Sequence, residues 1–381
     1  MDIEPPDTTN KPSPVTRRIM DAAVEIAEKH PLQIEYQHGL FCQVFLPRRR
    51  PVERTFERQY QQGSIRLEAG ALWNGRSWVE QPLPAGAKPR LALIYISAEA
   101  VKRRSRFIEV DNSARQFMER LGLNTDGGSS YALFRREMMA LAACRMCLGW
   151  NANGHAVTIN TQPIETFEAW MQNDDNQRVL WPGVIELSQK YFDSLIEHAV
   201  PLDPRALRAL AHSSLAIDVY SFLARRLHIL KKPVMVPWTS WKEQFGHEYK
   251  ELKDFSREFK NALKAALEVY RGAKVEPVIG GLLLKPSLPP VHYESVAVSF
   301  GLADQVRRSL PVPDAEAAHN MGNIAEITIK KFRSLYPRLD VYACKAAFDA
   351  WLAEGKAKAP ANYDSAFLGF ARKWATGKGV M

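Results

Sequence analysis

The sequence predicts an α+β chain built from tandem winged-helix domains and closed by a small helical C-terminal domain. Two observations predict the tandem. Helix, strand, helix, helix, strands is the apparent order over residues 86–200, and a similar order starts again over 201–292. A Gly280-Gly281 pair sits between two apolar runs at the end of the second stretch, where a wing would turn. A third observation sets the last part apart: residues 323–381 show helical periodicity, with Tyr336, Trp351 and Trp374 at intervals.

The 381 residues suit two or three domains, and a hydrophobic content of 46% allows buried cores. A net charge of +9 suggests an anionic partner without choosing between nucleic acid and a lipid surface. Four cysteines, Cys42, Cys144, Cys147 and Cys344, are few for a secreted disulfide scaffold, so a cytoplasmic location is expected. No apolar run reaches the roughly 20 residues needed to span a bilayer, and no membrane association is expected.

The elements follow in order. Residues 1–14 are polar and proline-rich and read as a disordered tail; 15–85 read as an N-terminal extension. VTRRIMDAAVEIAEKH has helical spacing and stops at His30-Pro31. LFCQVFLP reads as a β-like run; RRRPVERTFERQYQQG fits a loop or a short amphipathic helix. SIRLEAGALWNGRSWVEQPLP resembles a hairpin turning at Asn74-Gly75.

RLALIYISAEAVKRRS is a helix with cations at its C-terminal end, RFIEV a strand, and NSARQFMERLGL a helix closing near Gly122. SSYALFRREMMALAACRMCLGW reads as one mostly buried helix. GHAVTINTQPIETFEAW and RVLWPGVIEL read as strands, and SQKYFDSLIEHAV closes the first domain as a helix. In the second, PRALRALAH and SLAIDVYSFLARRLHIL are helices, VMVPW a strand, SWKEQFG a short helix, and KVEPVIGGLLLKPS two strands. Residues 293–322 read as a linker.

ELKDFSREFKNALKAAL has two unlike faces. At about 100° per residue, Lys253, Arg257, Lys260 and Lys264 share one narrow stripe, opposite Leu252, Phe255, Phe259, Leu263, Ala266 and Tyr270. The apolar side can anchor the helix while the basic side meets phosphates and base edges. Arg257 and Asn261 suit bidentate contacts to guanine and adenine. A solvated surface face is the competing reading. Arg135 and Arg136, near the start of the 129–150 helix, are the corresponding candidates in the first domain, against a core helix with two surface arginines.

Cys144-x-x-Cys147 has His155 near it but no fourth ligand at suitable spacing, so core cysteines on one helix are expected and no metal. There is no G-x-x-x-x-G-K-[ST], H-x-H, G-x-S-x-G or H-E-x-x-H, and Asp174-Asp175 reads as a turn. No reaction and no cofactor is proposed by these residues.

DVYSFLARRL, VPWTSWKEQFG, DFSREFKNAL and GLLLKPSLPPV, in that order from Asp218 to Val291, together with SSYALFRREMMALAACRMCLGW, resemble the RepA family of plasmid replication initiators over roughly residues 90–292. The resemblance implies a non-enzymatic protein that binds repeated origin sites in double-stranded DNA and recruits host replication proteins, the replicative helicase above all. It further implies a first domain for homodimerisation and a second for the main DNA contact. The residues it assigns to DNA are Lys253, Ser256, Arg257, Lys260, Asn261 and Lys264 on the helix and Lys274 and Lys285 beside the wing, with Arg135 and Arg136 in the first domain. NYDSAFLGFARKW would expose aromatics for a partner or a single strand, or else build a self-contained helical unit. The rivals are a winged-helix transcriptional repressor and, from another class, a nucleotide-using primase-type enzyme.

Overall fold

The computed structural model describes residues 12–110, 113–152, 155–167, 184–291, 328, 332, 335–336, 341–353 and 363–377. It is a mixed helix and sheet protein that divides into two compact units, Met1–Ala303 and Asp304–Met381. Most of the expected tail, Asp174-Asp175, RVLWPG and the 293–322 linker lie outside the described residues. No described helix is long and apolar enough to cross a membrane.

The first unit opens with α1 (Pro14–Glu28), started by proline in its first turn and by the Ser13 hydroxyl accepting from Thr16 N at 3.1 Å. Strand β1 (Glu35–His38) follows, fully buried. LFCQVFLP is not a strand. A single 3-10 turn covers Gly39–Cys42, and the apolar residues after it fill the core as irregular chain. The next stretch resolves the loop-or-helix choice as neither: β2 (Thr55–Tyr60) pairs antiparallel with β3 (Gly63–Glu68). Asn74-Gly75 does turn a hairpin, but of shorter strands, β4 (Ala71–Trp73) and β5 (Trp78–Glu80).

Helix α2 (Ala87–Arg103) is buried along most of its length and leads to β6 (Phe107–Glu109) and α3 (Ala114–Arg120), the latter capped by Ser113. Helix α4 (Gly128–Ala143) ends earlier than the sequence pattern suggests. Its last third is strand β7 (Arg145–Ala152), paired with β3 on one side and β8 (His155–Thr161) on the other. Cys144 and Cys147 therefore do not share a helix: Cys144 is the buried C-cap of α4 and Cys147 a half-buried β7 residue. Next come β9 (Ile164–Phe167), β10 (Val184–Leu187) and α5 (Gln189–His198), with β10 central in a β6-β10-β9 sheet.

Strand β11 (Ala199–Leu202) pairs antiparallel with β1, from Glu35↔Leu202 to His38↔Ala199. Helices α6 (Pro204–Leu210) and α7 (Ser214–Arg226) start at Asp203 and Ser213, whose side chains accept from Arg205 N and Ala216 N at 2.9 and 3.2 Å. Strand β12 (Val234–Pro237), α8 (Trp238–Phe245), α9 (Leu252–Glu268), β13 (Val275–Val278) and β14 (Gly281–Leu284) complete the unit, with β14 between β12 and β13.

One continuous hydrophobic core runs from Ile19 to Val291. The segments expected as extension, first domain and second domain all contribute to it. A buried ion pair also crosses the expected 200/201 boundary: Arg90 of α2 donates to both carboxylate oxygens of Asp218 on α7 at 2.7 and 2.9 Å.

The second unit includes α10 (Val341–Ala353) and α11 (Tyr363–Gly377) around its own core of Phe332, Val341, Cys344, Phe348, Phe367 and Ala371. Phe367 is fully buried and Phe370 and Trp374 pack against it. Phe367, Phe370 and Trp374 of SAFLGFARKW thus pack on this core, the arrangement of the self-contained helical unit.

Candidate nucleic-acid interface

The expected basic helix is α9. Its apolar side is fastened by rings: Phe259 lies 4.9 Å from Trp241, 5.2 Å from Phe245 and 5.3 Å from Phe255, centroid to centroid. Phe255, Phe259, Ala262, Leu263 and Ala266 are buried. Such aromatic clusters contribute both area and edge-to-face attraction, so the helix is held in one orientation. Leu252 alone of the expected apolar side is exposed.

The opposite side stands in solvent. Lys253, Arg257, Lys260, Asn261 and Lys264 are exposed, and Ser256 is half-buried. The four cations fall within about 60° of arc, a strip narrow enough to lie along one groove. Three of the residues are already engaged. The Ser256 hydroxyl donates to the Lys253 carbonyl at 3.0 Å. Arg257 pairs with Asp254 at 3.2 Å and lies 4.0 Å from Glu258. Lys260 Nζ sits 5.3 Å over the Trp238 ring, which fixes its ammonium beside the first turn of α8. The carboxylates of Asp254, Glu258 and Glu268 flank the strip on one edge, so its charge is one-sided, a feature that the helical wheel shows when acids are plotted with bases.

The β13–β14 hairpin lies directly after. Its turn, Ile279-Gly280, is exposed and has Gly280 at φ +83°, and the Gly280 carbonyl accepts from Trp238 N at 3.0 Å. That bond ties the hairpin turn to the start of α8. Gly281 admits no side chain: a Cβ there would lie 2.1 Å from the Val236 carbonyl oxygen. Lys274 is exposed just before β13. Lys285 is not available in the same way, since its Nζ donates to Glu276 at 2.5 Å across the strands.

Arg135 and Arg136 are separated by their helix. Arg135 is half-buried, whereas Arg136 is exposed, 4.0 Å from the buried Glu137 carboxylate. Together with Arg50 and Lys88 it lines a cleft. Nothing in the spacing along the chain points to this grouping, because its cations come from distant segments.

No cluster of three metal-ligating side chains occurs among the described residues. Burial pushes the Cys144 thiol up to about 12, so it is an apolar core group there.

The geometry so far defines a class: a helix and sheet protein that presents a basic, ring-anchored helix beside a short two-stranded hairpin. Residues 83–241 match the family described as plasmid encoded RepA protein, which is the resemblance read from the sequence. The matched region covers α2 to the first half of α8 and stops ahead of α9. A selenomethionine crystal structure of domains 2 and 3 of RctB aligns at TM-score 0.43 and 10% identity, covering 65% of this chain and 98% of that one. A second structure of RctB domains 2–3 aligns at TM-score 0.39 and 11% identity, over 64% and 94% of the two chains. No curated protein matches the chain.

Proposed function

We propose that this protein initiates plasmid replication by binding repeated origin sites in duplex DNA, without catalysis. The observation that carries the reading is the solvent-facing strip of Lys253, Arg257, Lys260 and Lys264 on a helix whose other side is locked by Phe255 and Phe259. The match of residues 83–241 to a plasmid protein family supports the biological setting. In this reading residues 201–292 form a winged-helix module. Helix α9 enters the major groove, where Arg257 and Asn261 read bases and the lysines neutralise phosphates. Ser256 supports the backbone contact, Lys274 and Lys285 bring the wing to the adjacent backbone, and Arg135 and Arg136 extend the contact from α4. Homodimerisation, through residues 86–200, and recruitment of a host replicative helicase belong to the same proposal.

Footprinting on the DNA flanking the protein's own gene tests it. An initiator protects several direct repeats, whereas a repressor protects one or two palindromic sites. Replacing Arg257 by Ala should weaken specific binding by about 1–3 kcal/mol. A variant that binds specific and random duplex as the parent does removes α9 from the interface.

A further inference from the structure

A cleft of about 680 Å³ lies on a different set of elements from α9. Five cationic side chains line it: Arg18 of α1, Arg48 and Arg50 from the chain between β1 and β2, Lys88 in the first turn of α2, and Arg136 of α4. One carboxylate, Glu137, faces them, which leaves a formal excess of four positive charges.

That carboxylate is already used up. Glu137 is buried, ion-paired with Arg50, and accepts from Ala85 N at 3.0 Å. Arg48 donates to the Tyr249 hydroxyl at 2.9 Å, a neutral partner. The Nε groups of Arg48 and Arg50 are buried without a hydrogen-bond partner. Lys88 makes no ion pair among the described residues. Among the described residues Arg18 meets the His212 ring, at 3.4 Å, and burial pushes that imidazole's pKa down, so it adds no charge near neutrality. Helix α2 opens into the same cleft at Gly86, φ +83°, with no side chain capping its first turn. A 17-residue helix directs partial positive charge to that end.

We infer that this cleft is a phosphate-binding site, taking two or more phosphate groups, supplied either by the DNA backbone or by a free nucleoside polyphosphate. Fixed cations converging on one concave surface repel one another when it is empty, and phosphate oxygens relieve that repulsion through charge-assisted bonds. The cations come from segments about 120 residues apart that the shared core holds in place, so the site is preorganised. This inference goes beyond the proposed function, since the cleft shares with it only Arg136.

The test uses the full chain with Arg18→Gln and Lys88→Gln together. Both residues lie outside the proposed DNA-reading set, and neither is buried. Calorimetric titration with tripolyphosphate at low salt should show one saturable site in the parent and at least tenfold weaker binding in the double variant. In parallel, the slope of log affinity against log salt is measured on duplex DNA. Each lost phosphate contact lowers its magnitude by about 0.9. A reduced slope assigns the phosphates to DNA. Lost tripolyphosphate binding with an unchanged slope assigns them to a free polyphosphate. Parental behaviour in both measurements overturns the site, and so does a loss that Arg18→Lys with Lys88→Arg fails to restore. Failure of Arg257→Ala to affect DNA binding would leave this outcome untouched, so the two readings fall separately.

Discussion

Replacing Asp218 by Ala should destabilise the whole of the first unit, and not residues 201–291 alone. Arg90 and Asp218 have side chains only 3% and 4% exposed. Arg90 also donates to the carbonyls of Pro47, Gly86 and Leu46 at 3.0, 2.7 and 2.5 Å, so one guanidinium holds three segments of chain. Burial pushes the Asp218 carboxyl up, while Arg90, Arg58 and Arg48 draw it back towards the charged form. Deleting it leaves the Arg90 guanidinium buried with no countercharge and removes a nearby anion from buried Arg58. Breaking one side of such a pair costs about 3–5 kcal/mol, against a total stability of about 5–15 kcal/mol for a domain. The assay is urea unfolding followed by hydrogen exchange on peptides from α2 and from α9. Both should lose protection together, and the midpoint should fall at an unchanged slope. Loss confined to α9, or a change under about 1 kcal/mol, would refute the reasoning that the pair ties the two expected domains into one.

The remaining predictions concern pH, the β12-β14-β13 sheet and the C-terminal unit. Burial pushes the Glu35 carboxyl from its ordinary 4.5 up to about 7, against the pull of Lys102. Its stabilising protonated form is therefore present below about 4.5 and lost as pH rises through about 7, at a cost of up to roughly 3 kcal/mol. Glu35→Gln should gain on the parent between pH 5 and pH 8 in thermal melts; an equal shift at both pH values contradicts this. Gly281→Ala should disrupt β12–β14 pairing and weaken DNA binding, since backbone at Val236 occupies the Cβ position; unchanged protection of Leu282–Leu284 amides in hydrogen exchange would disprove it. Phe348→Ala, at a fully buried ring, should cost about 3–5 kcal/mol and unfold α10 and α11 while the melting of residues 14–291 stays as it was. A single shifted transition would argue against a separate core.

Much of the second half was legible because its signals are local. Pro204 after Asp203, the ring-and-lysine alternation of α9 and the Gly-Gly turn each specify their element within a few residues. The C-terminal third of the 129–150 helix was not legible, because Cys144, Met146 and Leu148 alternate in a run that a buried helix could equally contain. The strand Thr55–Tyr60 hides its inward Arg58, whose partner Glu248 lies 190 residues away in the chain. The single core was invisible for the same reason: repeated element order suggests modules, while the contacts that fuse them join distant residues. At the candidate interface, the strip itself followed from helical spacing. The pairing of Lys285 with Glu276, and the gathering of Arg18, Arg48, Arg50 and Lys88, depend on tertiary proximity that spacing does not encode.

The pairing of β1 with β11 has a consequence for synthesis. Glu35 meets Leu202, so the first strand must wait while more than 160 further residues are made. At about 5–20 residues per second that is roughly ten to thirty seconds on the ribosome. Throughout that interval Ile34, Leu40, Phe41, Val44, Phe45 and Leu46 have no finished core to enter. Nascent chains of this protein thus carry a sticky apolar segment at residues 34–46 until β11 is made, which is where a chaperone would be expected to hold them.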